Sequence, residues 1–107
     1  MIKKFGEYKY QYEPTVGEYF LLKKDPDSIN ILFQIESKTD NLQGYNINYI
    51  KPNDDIYSSI YFDFRKKIFY FNFFGVKINC KFLWRGMSEE EGLKEYEFFE
   101  TANKYNL

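Results

Sequence analysis

The sequence predicts an α+β fold: a curved antiparallel β-meander of about six to seven strands, open or partly closed into a barrel, followed by one C-terminal α-helix. Three observations lead there. Apolar and polar residues alternate with period two over most of residues 1–86, which is the pattern of half-buried strands. Short clusters of turn-forming residues separate those runs. Beyond residue 86 the period becomes that of a helix. Composition agrees, because 22% of the chain is aromatic while Ala102 is its single alanine. Aromatic side chains suit pleated strands, whereas Ala is the best helix former. The frequent Ile, Asn, Lys, Tyr and Phe also fit an AT-rich coding sequence, which by itself raises aromatic counts.

At 107 residues the chain is read as one domain, 1–107, with the sheet in 1–86 and the helix in 87–104. A chain of this size buries roughly two-thirds of its unfolded surface, enough for one core without staples. Candidate strands 5–12 and 16–23 alternate irregularly, the first placing Tyr8, Tyr10 and Tyr12 on one face. Asp25-Pro26-Asp27 then forms a turn; its acids lack the further ligands and the glycine of a calcium loop. "SINILFQIE" sets Ile29, Ile31, Phe33 and Ile35 against Asn30, Gln34 and Glu36. After the turn at Thr39-Asp40-Asn41, "GYNINYI" sets Tyr45, Ile47 and Tyr49 against Asn46 and Asn48. Pro52-Asn53-Asp54-Asp55 is the next turn. "IYSSIYFDF" then sets Ile56, Ile60, Phe62 and Phe64 against Tyr57, Tyr61 and Asp63.

Two more strands are expected on either side of Phe74-Gly75. In the first, Phe69, Phe71 and Phe73 face inward and Tyr70 outward. In the second, 76–84, Val76, Ile78, Cys80, Phe82 and Trp84 read as one inward face, with Lys77, Asn79 and Lys81 outward. The C-terminal helix should run from about residue 89 to about 103. Ser88 and Glu91 have capping-box spacing, and Glu89, Glu90 and Glu91 complement the positive end of the helix dipole. Tyr96 and Phe99 define its buried stripe, but Leu93 and Phe98 widen the apolar arc beyond one helix–sheet contact. Either one of those two is exposed or the helix has a second neighbour. A single helix covers one sheet face, so a tyrosine-bearing face is expected to be left for solvent or a partner.

Much chemistry is excluded. The chain has no His, which removes His-based triads, His-ligated metals and the usual neutral-pH general base. The lone Cys80 builds neither a zinc cage nor an internal disulfide and suits a reducing compartment. The six glycines are scattered singly, so no phosphate loop forms. Residues 1–14 lack the apolar core of a signal peptide, and the uncharged run 68–76 is far shorter than a membrane-spanning helix. A cytoplasmic, cofactor-free, non-enzymatic protein without membrane contact is therefore expected.

Charge is segregated along the chain. Residues 25–64 carry −5, residues 65–86 carry +6 and no acid, and residues 87–107 carry −4, within an overall charge of −1. The basic strands either lie beside the acidic helix and are neutralised by it, or face partners. The leading functional expectation is a protein-binding module that inhibits or neutralises its partner. A toxin-immunity protein would be of this kind, as would a phage or mobile-element inhibitor of a host enzyme such as a defence nuclease. Tyr57, Tyr61, Asp63 and Tyr70 are its expected contacts, because Tyr offers large area at low entropic cost. Glu89, Glu90, Glu91, Glu97 and Glu100 form an acidic surface suited to a nuclease or toxin with a basic cleft. The alternative is single-stranded nucleic-acid binding through the basic aromatic segment 65–86, using Tyr70, Lys77 and Lys81. The net negative charge makes nucleic acid the less expected partner. A third option is self-association through an unpaired edge strand.

Since no disulfide or metal cage can be assembled from these residues, thermal unfolding should be unchanged by EDTA or dithiothreitol. A drop of several degrees in Tm with either reagent would contradict this.

Overall fold

The computed structural model describes residues 13–25, 28–40, 44–52 and 60–105. Seven antiparallel strands precede one helix: β1 Tyr19–Lys24, β2 Ile29–Lys38, β3 Tyr45–Lys51, β4 Ile60–Asp63, β5 Ile68–Phe73, β6 Val76–Asn79, β7 Lys81–Gly86 and α1 Glu89–Tyr105. The fold is α+β. Its strands form two sheets, of order β3-β2-β1-β7 and β4-β5-β6, and these described strands do not close into a barrel. The candidate strand at 5–12 lies outside the described residues, as does the N-terminal part of the one expected at 56–64.

The first sheet is buried on both faces because β1 and β2 are apolar at both parities. Phe20, Leu22, Ile31, Phe33, Ile35 and Tyr45 join Ile60, Phe62, Phe69, Phe71 and Cys80 in one core between the sheets. Leu21 and Leu32, also fully buried, take the opposite parity. That face is covered by α1, which packs on β1, β2 and β7. The layers are thus helix, four-stranded sheet, three-stranded sheet. Phe69 is central to the core, meeting Phe20, Phe33 and Phe62 edge-on at centroid distances of 5.0, 5.4 and 5.0 Å. Edge-to-face contacts place the positive rim of one ring against the negative face of another. Tyr49 Oη accepts the Ile60 N–H at 3.0 Å and ties the sheets together.

The run 76–84 departs from its expected single inward face. Cys80 is a corner: its N–H still bonds the Phe69 carbonyl at 3.0 Å, and the chain then crosses to the first sheet as β7. The thiol is buried there, and burial pushes its pKa up to about 12. Within β7, Phe82 pairs with Leu22 but Trp84 pairs with Leu21, so Leu83 is an extra residue in a bulge. A bulge reverses the side-chain alternation beyond it. Phe82 consequently packs on the intersheet core, while Trp84 lies beside Gly92 of the helix. Val76, expected inside, is 60% exposed.

Ser88 Oγ accepts the Glu91 N–H at 3.2 Å and caps α1. Gly92 is buried where the helix comes nearest the sheet. A Cβ there would lie 3.0 Å from Trp84 Cζ3 and 3.1 Å from Leu32 Cδ1. The width of the apolar arc is resolved by exposure, since Phe98 is 62% exposed while Leu93, Tyr96 and Phe99 are half-buried.

Phe71→Ala should cost about 3–5 kcal/mol, as for a large core side chain, whereas Val76→Ala should stay within about 0.5 kcal/mol. Urea unfolding of the two variants checks that Val76 lies outside the core that holds Phe71. A loss above about 1 kcal/mol from Val76→Ala would return Val76 to an inward face.

Candidate binding face of the second sheet

Strand alternation fixes what the second sheet shows on its outer side. Ile60 and Phe62 on β4, and Phe69 and Phe71 on β5, point into the core. Tyr61, Asp63 and Tyr70 therefore point away from it. Tyr61 and Tyr70 are direct cross-strand partners, with rings stacked at 5.5 Å and 17° between planes. Lys77 of β6 brings its ammonium to 4.4 Å from the Tyr70 ring centre and to 3.3 Å from Asp63 Oδ2.

Asp63 also builds the turn between β4 and β5. Its Oδ1 accepts the N–H groups of Arg65 and Lys66 at 2.9 and 3.0 Å, and its carbonyl accepts the Lys67 N–H at 2.7 Å. The backbone N–H of Lys66, above all, holds the Asp63 carboxyl below the usual range, with Lys77 and the Arg65 N–H adding to it against partial burial. The Asp63 side chain is only 12% exposed, against 54% for Lys77. Asp63, Arg65, Lys66, Tyr70 and Lys77 line a shallow depression of about 550 Å³.

Of the residues expected at a site, Tyr61, Asp63, Tyr70 and Lys77 are thus brought together. Tyr57 lies outside the described residues. Lys81 is not on this face, because it belongs to β7 in the other sheet, opposite Lys23. Glu89, Glu90, Glu91, Glu97 and Glu100 are exposed on α1, beyond the first sheet from the tyrosines. Two of them hold the helix in place. Tyr19 Oη donates to Glu89 Oε1 at 3.2 Å, and the buried Asn30 donates through Nδ2 to Glu100 Oε2 at 2.8 Å.

The helix does not neutralise the basic segment. Arg85 binds the buried Glu18 through Nε and Nη2 at 2.5 and 2.8 Å, Lys67 pairs with Glu13 at 2.7 Å, and Lys77 pairs with Asp63. Arg65 and Lys66 have no ion pair among the described residues. Arg65 and Lys66 entered the expectation as members of the basic segment 65–86, not as named contacts. The available signal was Asp63 two and three positions before them, the spacing at which an Asp side chain bonds the following N–H groups and fixes a turn.

Among the described residues no group of three or more His, Cys, Asp or Glu could hold a metal ion, and no helix is long and apolar enough to cross a membrane. No protein-family model matches the chain, and no match is found among curated proteins or solved structures.

Asp63→Ala removes the acceptor for two backbone N–H groups and should cost about 1–2 kcal/mol near neutrality. Because the folded-state pKa is depressed, this contribution is complete above the ordinary value of 3.8 and is lost as pH falls through the lower folded value. Urea midpoints of the wild type and the variant should therefore converge as the pH is lowered beneath the ordinary carboxylate value. A constant gap would assign the loss to packing.

Proposed function

We propose that the chain is a small, non-enzymatic protein-binding module that inhibits or neutralises its partner by covering part of the partner's surface. The observation that carries the reading is the stacked Tyr61–Tyr70 pair, braced by Lys77, on a sheet face that no other element covers among the described residues. Two ordered aromatic rings on a sheet backed by a phenylalanine core lose little freedom on binding. Tyr also combines an apolar body with a hydroxyl that can donate or accept. Such side chains tend to supply a disproportionate share of binding energy.

We infer as partner a toxin or a host enzyme such as a defence nuclease, met in the cytoplasm. The tyrosine face is the contact surface in this reading. The acids of α1 are the lesser candidate, since Glu89 and Glu100 are engaged within the molecule.

Single-stranded nucleic-acid binding is the second reading, favoured by Tyr70 and Lys77 sharing one face. A base, however, stacks on an open ring face. Tyr70 already has the Tyr61 ring and the Lys77 ammonium against it, and a base would have to displace one of them.

Immobilised protein should capture a partner from the cytosol of the native source, after which calorimetry with the purified partner measures affinity. Tyr61→Ala and Tyr70→Ala should each cost under about 1 kcal/mol of stability yet weaken binding by about 1–2 kcal/mol or more. Variants that keep full affinity would move the contact to another surface, with Glu90, Glu91 and Glu97 the next to test.

A further inference from the structure

We infer that the depression beside Tyr70 is a carboxylate-binding site, and that its occupant is an acidic segment of the partner polypeptide. This rests on the protein-binding reading above and supplies the chemistry of the partner surface.

Charge comes first. Among the described residues, Arg65, Lys66 and Lys77 line the depression with one acid, Asp63. Lys77 offsets the charge of that acid by pairing with Oδ2, while two backbone N–H groups occupy Oδ1. What remains facing solvent is a surplus of cationic groups, two of them without an ion pair among the described residues. A guanidinium presents a planar fork that matches a carboxylate, and a neighbouring ammonium adds a second point of attraction.

Backbone order comes next. The main chain carrying Arg65 and Lys66 is pinned at both N–H groups to Asp63, and the turn is closed by the bond from the Lys67 N–H to the Asp63 carbonyl. The cations therefore project from a fixed base, so less entropy is lost on binding than from a loose loop.

The rest of the molecule selects among anions. Phosphodiester chains bind such patches chiefly through many dispersed phosphate contacts, with stacking adding to them. Here the patch is confined to one shallow depression, Tyr70 is already engaged, and the molecule is net negative with its acidic helix beyond the first sheet. A short run of Asp or Glu side chains matches that extent, while a long polyanion would meet repulsion outside it.

The test is fluorescence anisotropy of the full chain with a fluorescein-labelled hexaglutamate peptide and, in parallel, labelled hexathymidylate. The peptide should bind with submillimolar Kd, weakening as salt is raised. Arg65→Gln combined with Lys66→Gln should weaken it about tenfold or more, since exposed cations act mainly through charge. Lys94→Gln on the helix should leave it unchanged. No peptide binding, or binding indifferent to the double substitution, would overturn the inference. Tighter binding of hexathymidylate, lost with the same substitutions, would overturn it in favour of a nucleic-acid surface. Should Tyr61→Ala abolish capture of the partner while the Arg65/Lys66 variant retains full affinity, the protein-binding reading stands and the carboxylate site falls.

Discussion

Leu21 and Leu22 are neighbours on β1, and both are fully buried. Successive side chains of a strand point to opposite faces, so this pair can be buried only if both faces of the first sheet are covered. The rest of the architecture follows from that demand. On one side α1 lies close enough for Gly92 to touch Leu32 and Trp84. On the other, the second sheet supplies Phe69 and its ring contacts with Phe20 and Phe33. With its inner face consumed by the core, the second sheet has only its outer face for other work.

The same layering distributes charge. Two carboxylates of α1, Glu89 and Glu100, are bound up in docking the helix, through Tyr19–Glu89 and Asn30–Glu100. The Glu18–Arg85 pair sits over the Phe20 ring, where Arg85 lies 4.8 Å from the ring centre and Glu18 also accepts the Thr15 N–H. A part-buried pair of this kind is costly to break chiefly because Glu18, the buried partner, would be left charged and largely desolvated. Arg85 is therefore a structural cation despite its place in the basic segment. Arg65 and Lys66, which have no ion pair among the described residues, lie at the β4–β5 turn, and Lys77 lies on β6 against Tyr70.

Much of this was legible in the residues. Period-two alternation located β2, β3, β4 and β5, though it read β6 and β7 as one strand, and it placed Tyr61 and Asp63 opposite Ile60 and Phe62 because a short regular strand has no way to change parity. The Ser88 cap and the acids behind it located the start of α1. What escaped is non-local. Leu83 looks like any other strand residue, and only pairing with β1 shows it to be the extra one that turns Trp84 toward the helix. Cys80 likewise alternates correctly with its neighbours, yet the chain changes sheets there. The apolar residues at both parities of β1 and β2 did signal a doubly covered sheet, but a one-sided helix–sheet packing took precedence in the expectation. Grouping Lys77 with Lys81 failed for the same reason as the single inward face: the two lysines straddle the corner.

The division of labour between the faces of the second sheet bears on how such a surface can vary. Ile60, Phe62, Phe69 and Phe71 hold the sheet by burial, and none of them touches the depression. Tyr61, Tyr70, Arg65 and Lys66 shape the outer face while contributing little to the core. Because neighbouring strand side chains project to opposite faces, changes on the outer face should leave the packing of the inner one largely intact, and in the proposed reading they would tune the contact. Asp63 is the exception, because one carboxylate both pins the turn and receives Lys77. Replacing it would loosen the base from which Arg65 and Lys66 project and free Lys77 from the Tyr70 ring at once. The outer face is thus tolerant in its tips and intolerant in its anchor, which is the arrangement that the proposed contact surface would require.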